Sequence, residues 1–167
     1  MSEVLTAFES SLDGLDVGVT ETSSDGFHDA LADALREPAV GTPLGYDGVS
    51  LDDTEVMLDP TPGDLESART GVTPAGMGVA SYGTLALESD AAGTEPVSLY
   101  PDRHVAVLRE CDLQPGMDGA FGWLSEEFAA GRDSYVFATG ASATADMGEM
   151  VEGVHGPAEV HVIVLER

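Results

Sequence analysis

Phe137 to Arg167 reads FATGASATADMGEMVEGVHGPAEVHVIVLER and carries the strongest fold signal in the chain. It joins an apolar strand, a turn of small residues, a helix start, a His-Gly-Pro corner and a closing apolar strand. Two strands linked through a helix predict a unit of a parallel α/β sheet. The turn and the corner are expected at the ends of neighbouring strands, where ligands sit in an open α/β sheet.

Working outward, other short apolar runs repeat the pattern: Val56–Leu58, Leu85–Leu87, Val105–Leu108 and Tyr135–Ala138. Their uniform hydrophobicity predicts strands buried on both faces of a mainly parallel sheet, in a three-layer, Rossmann-like open α/β arrangement. Helices are expected at 1–12, from Phe27 to before Pro38, and from about Met117 to Ala129 with Phe121, Leu124 and Phe128 on the buried stripe. A further helix opens at Pro62 with Thr61 as N-cap and is expected to end at Gly71. Asp13 to Asp25 is rich in Gly, Ser, Thr and acids and reads as a linker. The expected organisation is an N-terminal helix and linker over 1–25 and one α/β domain over 26–167.

The 167 residues suffice for one domain with a proper core. Thirty-one acids against six basic residues, all of them Arg, give a formal charge of −25. The acids are spread along the chain and form no tail, so a salt-adapted surface, as in halophiles, is expected. In molar salt the Debye length falls to ~3 Å and most of the self-repulsion is screened. No basic stripe exists to neutralise phosphates, which argues against nucleic acid as a partner. Cys111 is the single cysteine, so no internal disulfide forms, and one thiolate cannot hold an iron–sulfur cluster. No apolar run approaches the roughly 18 residues of a membrane span, and the N-terminal ten residues lack the charge pattern of a secretory signal. A cytoplasmic location is expected.

Three groups of residues could carry chemistry. In the first, Thr139, Gly140, Ser142, Thr144 and Asp146, the small residues allow close backbone approach and the hydroxyls can donate to a ligand. Ser142 or Thr144 would cap a helix running through Met150, whose free amides attract phosphate or carboxylate. The same residues could equally serve only as a cap. The second is Gly153-Val154-His155-Gly156-Pro157, where His155 could shuttle a proton or bind an anion, or merely fix the corner. His161, inside an apolar strand, reads as a hydrogen-bonded core histidine. The third is Gly83-Thr84 at a strand start, offering an amide and a hydroxyl, or only a bend. His28, His104, His155 and His161 show no metal-ligand spacing. Gly76-Met77-Gly78 fails as a dinucleotide fingerprint because Ser81 stands where the third Gly belongs.

The run TGASATADM from Thr139, followed by GVHGP from Gly153 and a His in the last strand, resembles the C-terminal signature of the LUD-domain family, in particular its lactate-utilisation protein C group. Gly71-Val72-Thr73, Gly83-Thr84-Leu85 and PDRHVAVLR from Pro101 resemble further segments of that family, in the same order. The resemblance covers roughly residues 50 to 167. It implies the fold shared by sugar-phosphate isomerases and CoA transferases. It also implies a role in oxidising L-lactate to pyruvate alongside partner proteins. Because the residues show no means of accepting electrons, an accessory subunit that binds a small anion and holds no cofactor is expected. The iron–sulfur clusters would then reside on partner lactate-utilisation proteins. From the three groups above, the ligand-binding candidates are Gly83, Thr84, Thr139, Gly140, Ser142, Thr144, Asp146 and Gly156, with His155 as the catalytic candidate. Two departures stand out: Ser81-Tyr82 replaces the family's Glu-Thr, and Ala141 replaces Pro. The alternative reading is a stand-alone enzyme acting on a sugar phosphate or CoA thioester.

Overall fold

The structure is a computed structural model that describes residues 2–146, 149–152 and 155–166. In chain order the elements are α1 (Glu3–Asp13), β1 (Gly18–Thr22), α2 (Phe27–Ala34), β2 (Ala39–Gly41), β3 (Val56–Leu58), α3 (Pro62–Ser67), β4 (Thr70–Pro74), β5 (Met77–Val79) and β6 (Thr84–Glu88). They continue as α4 (Thr94–Leu99), β7 (Arg103–Arg109), β8 (Leu113–Gln114), α5 (Met117–Ala129), β9 (Tyr135–Thr139), β10 (Ala143–Asp146), β11 (Glu149–Glu152) and β12 (Glu159–Leu165).

Six strands pair in the order β1-β12-β7-β4-β2-β3, every neighbour parallel. The expected α/β class with a buried parallel sheet therefore holds. The two central strands show why their runs are apolar throughout. Ala106 and Leu108 of β7, with Val160, Val162 and Val164 of β12, face Leu5, Phe8 and Leu12 of α1. Val105, Val107 and Ile163 face the opposite way, onto Phe27 and Leu31 of α2. With a side-chain period of two, both faces of such a strand must be hydrocarbon. Fully burying each of the Val, Leu, Ile and Phe side chains among these contributes about 1.5–3 kcal/mol.

Local signals set the helix ends. Ser2 Oγ accepts from Leu5 N at 3.1 Å to start α1. Thr61 and Asp64 form a reciprocal capping box at α3. At the far end of α5, Gly131 N donates to Phe128 O and Arg132 N to Glu127 O, a Schellman pair.

Several expectations fail, each for a tertiary reason. The stretch read as a linker contains β1, which gains its hydrogen bonds from β12 at the sheet edge. Helix α3 ends at Ser67, because Thr70–Pro74, including Gly71, is drawn into the parallel sheet between β2 and β7. The runs at Leu85 and Tyr135 do not join that sheet. They pair antiparallel as β6 and β9 in a second sheet of order β8-β5-β6-β9, which covers one face of the first together with α1. Helix α5 packs on this second sheet through Ala120, Met117 and Trp123. Its Phe121 and Phe128 are 61% and 50% exposed, because the small sheet is met by only one narrow face of the helix.

The path of the chain also sets a switch point. From β2 the chain leads outward to β3, whereas from β4 it leads to β7 on the other side. A crevice therefore opens between the carboxyl ends of β2 and β4.

Candidate functional site

Three segments far apart in sequence meet at the amino ends of β7 and β12. Gly83 has φ +66°, a backbone form that side chains disfavour, and a Cβ there would lie 3.0 Å from Leu15 Cδ1. It delivers the chain into β6, where Thr84 Oγ1 and Thr139 Oγ1 lie 2.7 Å apart across the β6–β9 pairing. Beyond β9, Ser142 N donates to Pro157 O at 2.8 Å, and Ser142 Oγ accepts from His155 N at 3.3 Å. The turn and the His-Gly-Pro corner are thus laced together by the backbone.

Gly83, Thr139, Gly140, Ser142, His155 and Gly156 line one cavity of about 300 Å³. Thr84 does not line it; it is 6% exposed and reaches the cavity only through its contact with Thr139. His155 is exposed at the rim. Much of the interior is hydrocarbon, from Leu12, Val17, Leu85, Leu87, Val136 and Val160, with the hydroxyl of Ser98 added. Such a lining suits a small molecule with an apolar body held by a few polar groups.

The expected helix after Ser142 is absent. Residues Ala143–Asp146 pair antiparallel with Glu149–Glu152, Thr144 opposite Val151 and Asp146 opposite Glu149. Only two residues separate the strands, one of them Gly148, and a glycine inside a helix costs about 1 kcal/mol relative to alanine. The free amides of a helix start are therefore not available to a ligand here. Met147 of the signature run and Gly153-Val154 of the corner lie outside the described residues. The cluster also sits at the amino ends of the parallel strands, opposite the edge at which ligands gather in open α/β sheets.

His104 is a lining residue that spacing rules did not single out. It is 2% exposed, and its Nε2 lies 2.8 Å from Thr73 Oγ1. Burial pushes its pKa down to about 4, so the ring is neutral at pH 7. The signal for it was the family-like segment PDRHVAVLR, in which the His was given no role of its own. His161, on the neighbouring strand, is half-buried with Nε2 2.9 Å from Thr20 Oγ1. Burial, and then the charge of Arg103, lower its pKa. On the same edge Glu159 accepts from Arg36 at 2.7 Å and Arg103 at 2.8 Å, which holds its carboxyl below the usual range.

Among the described residues no three His, Cys, Asp or Glu side chains gather as a metal site. No described helix is long and apolar enough to cross a membrane.

The sequence profile of the LUD domain matches residues 63–165. Over 98% of its length the chain is 30% identical to lactate utilization protein C of Deinococcus radiodurans, covering 80% of that protein. It is 32% identical over 60% of its length to lactate utilization protein C of Bacillus licheniformis, where the match spans 44% of the relative. Among solved structures, a DUF162 family protein from Deinococcus radiodurans superposes with a TM-score of 0.75, at 24% identity and 99% coverage of both chains.

Proposed function

This chain belongs to the LUD domain family, and we propose from that membership that it serves lactate utilisation as a subunit or accessory protein. In this reading it binds a small carboxylate while partner proteins carry the iron–sulfur clusters that take electrons from L-lactate. The chain's one cysteine cannot by itself ligate such a cluster, so the redox step is assigned to the partners.

The observation that carries the reading is the meeting of three family-like segments, at Gly83-Thr84, Thr139–Ser142 and His155–Pro157, on one cavity. Its hydrocarbon interior suits the methyl end of a three-carbon acid. Ser142, Thr139 and His155 supply hydroxyl and imidazole groups for the polar end. With the expected helix amides absent, these side chains bear the recognition.

Calorimetric titration with lactate and with pyruvate at constant molar ionic strength tests the ligand half. Saturable binding that Ser142→Ala and His155→Ala weaken supports it. Co-purification from a high-salt extract tests the partner half, with the visible absorbance of an iron–sulfur protein as readout. Absence of both binding and a cluster-bearing partner, together with normal growth on lactate after gene deletion, would overturn the proposal.

A further inference from the structure

A second cavity, of about 480 Å³, opens at the other end of the parallel sheet. It lies at the carboxyl ends of β2, β4 and β7, over the β2–β4 switch point, the position that the topology of an open α/β sheet favours for ligands. Pro74 and Arg109 bring it the strand ends, Tyr46 follows β2, and Trp123 and Tyr135 close it from the second sheet and α5.

What this cavity can hold follows from which of its polar groups are already engaged. Arg109 donates through Nε and one Nη to both oxygens of Asp112, at 2.6 and 2.9 Å, with its guanidinium 5.3 Å from the centre of the Tyr46 ring. Arg132 grips Glu127 in the same two-point manner, at 2.5 and 2.8 Å. Glu127 also accepts from Tyr135 Oη. Asp90 accepts from the amide and hydroxyl of Thr94. Tyr46 Oη donates into the carbonyls of Ala75 and Val107.

Four groups remain without a hydrogen bond among the described residues: the Glu88 carboxylate, Nη1 of Arg109, Nη1 of Arg132, and the indole N–H of Trp123. One of them is an acceptor bearing negative charge, and the other three are donors. Glu88 is no ordinary surface acid. Burial, and then the nearby charges of Asp90 and Glu127, raise its pKa, while Arg132 pulls it back. An uncommitted carboxylate with a perturbed environment in a cleft is a functional-site signature.

The charges decide between ligand classes. Glu88, Asp90, Asp112 and Glu127 stand against Arg109 and Arg132 on the lining. A simple anion is therefore repelled by the excess of carboxylates, although donors await it. A simple cation satisfies Glu88 but makes no use of the half-exposed guanidinium N–H groups of Arg109 and Arg132. A molecule with an ammonium and a carboxylate on one carbon answers both needs without net charge.

We propose that this cavity binds a small zwitterion of the α-amino acid class, with Glu88 receiving the ammonium group and the free guanidinium edges of Arg109 and Arg132 facing the carboxylate. The site is separate from the one at the amino ends of β7 and β12, and the proposal does not depend on the role assigned there.

Trp123 is the single tryptophan of the chain, so its fluorescence reports on this cavity alone. The probes are L-alanine, L-lactate and ethylamine, at constant ionic strength. Alanine and lactate share one skeleton and differ in ammonium against hydroxyl, while ethylamine lacks the carboxylate. The expected result is a saturable change with alanine at a concentration about tenfold or more below that needed for lactate or ethylamine, the difference one charged hydrogen bond supplies. Glu88→Gln should erase the preference for alanine over lactate. Amide chemical shifts in the unsubstituted protein give a second readout: alanine should move Gly45, Gly76 and Glu88 and leave Ala141 and Gly156 in place. Equal or better response to lactate or ethylamine, an unchanged preference in Glu88→Gln, shifts confined to Ala141 and Gly156, or no saturable response to alanine would each overturn the proposal. Failure here leaves the lactate and pyruvate titrations at the other cavity untouched, so the two readings fail separately.

Discussion

Thr84 and Thr139, 55 residues apart, face each other across the β6–β9 ladder with their hydroxyl oxygens 2.7 Å apart. The contact ties the strand entrance at Gly83 to the turn that follows β9. It thereby fixes the distance between two walls of the cavity at the amino ends of β7 and β12. Replacing either residue with Val should destabilise the protein, and a double-mutant cycle in denaturant should return a coupling of about 1 kcal/mol. Additive single effects would show that the hydroxyls do not depend on each other.

Gly71 admits no side chain. A Cβ there would stand 2.0 Å from the backbone carbonyl oxygen of Val97, where α4 crosses β4. Backbone cannot rotate away as a flexible side chain could. Gly71→Ala is expected to cost about 3 kcal/mol or more, the upper range for overpacking. A denaturation midpoint equal to that of the unsubstituted protein would contradict this packing.

His104 imposes a pH dependence of known sign. Its folded pKa is about 4, below the usual value near 6.5, because burial disfavours the charged ring. The unfolded chain therefore binds a proton that the folded chain refuses. Its contribution to stability is complete above about pH 6.5 and is lost as pH falls toward about 4, by up to about 3 kcal/mol. Many carboxylates titrate in the lower part of the same window. The measurement is accordingly the difference in unfolding free energy between the protein and His104→Gln, which should shrink as pH falls from 7 to 4.

Phe121 and Phe128 should be dispensable for folding. At 61% and 50% exposure they bury little surface, and Phe121→Glu is expected to change stability by no more than about 0.5 kcal/mol. A loss of several kcal/mol, read from urea unfolding, would place the ring in a core.

The charge of −25 predicts a salt-dependent fold. Between 0.1 M and 1 M salt the Debye length contracts from about 10 to about 3 Å, which removes most repulsion between surface carboxylates. The thermal midpoint, followed by circular dichroism, should rise steadily with KCl. A midpoint indifferent to salt would separate the acidic composition from any salt adaptation.

Elements with uniform surroundings were legible from residue order alone. Val105–Leu108 and Val160–Leu165 are apolar on both faces, and only a strand covered on both sides accepts that pattern. Caps such as Thr61 and stops such as Gly131 act within a turn of their own position, so they were equally legible. The order of the small-residue turn, the His-Gly-Pro corner and the Gly-Thr strand entrance also marked the family and three segments that meet at one cavity. Partnership between elements, by contrast, emerged only on folding. Asp13 to Asp25 carries no strong strand signal, yet Gly18–Thr22 becomes a strand because β12 offers it an open edge. Ala143–Asp146 pairs with Glu149–Glu152 instead of opening a helix, and Phe121 faces solvent, because hydrogen-bond partners and cover are set by the folded surroundings. The cavity at the carboxyl ends of β2, β4 and β7 was hidden for the same reason. Its lining comes from turns and strand ends spread between Leu44 and Tyr135, with no spacing in common, and hydrogen bonds and charge act through space rather than along the chain.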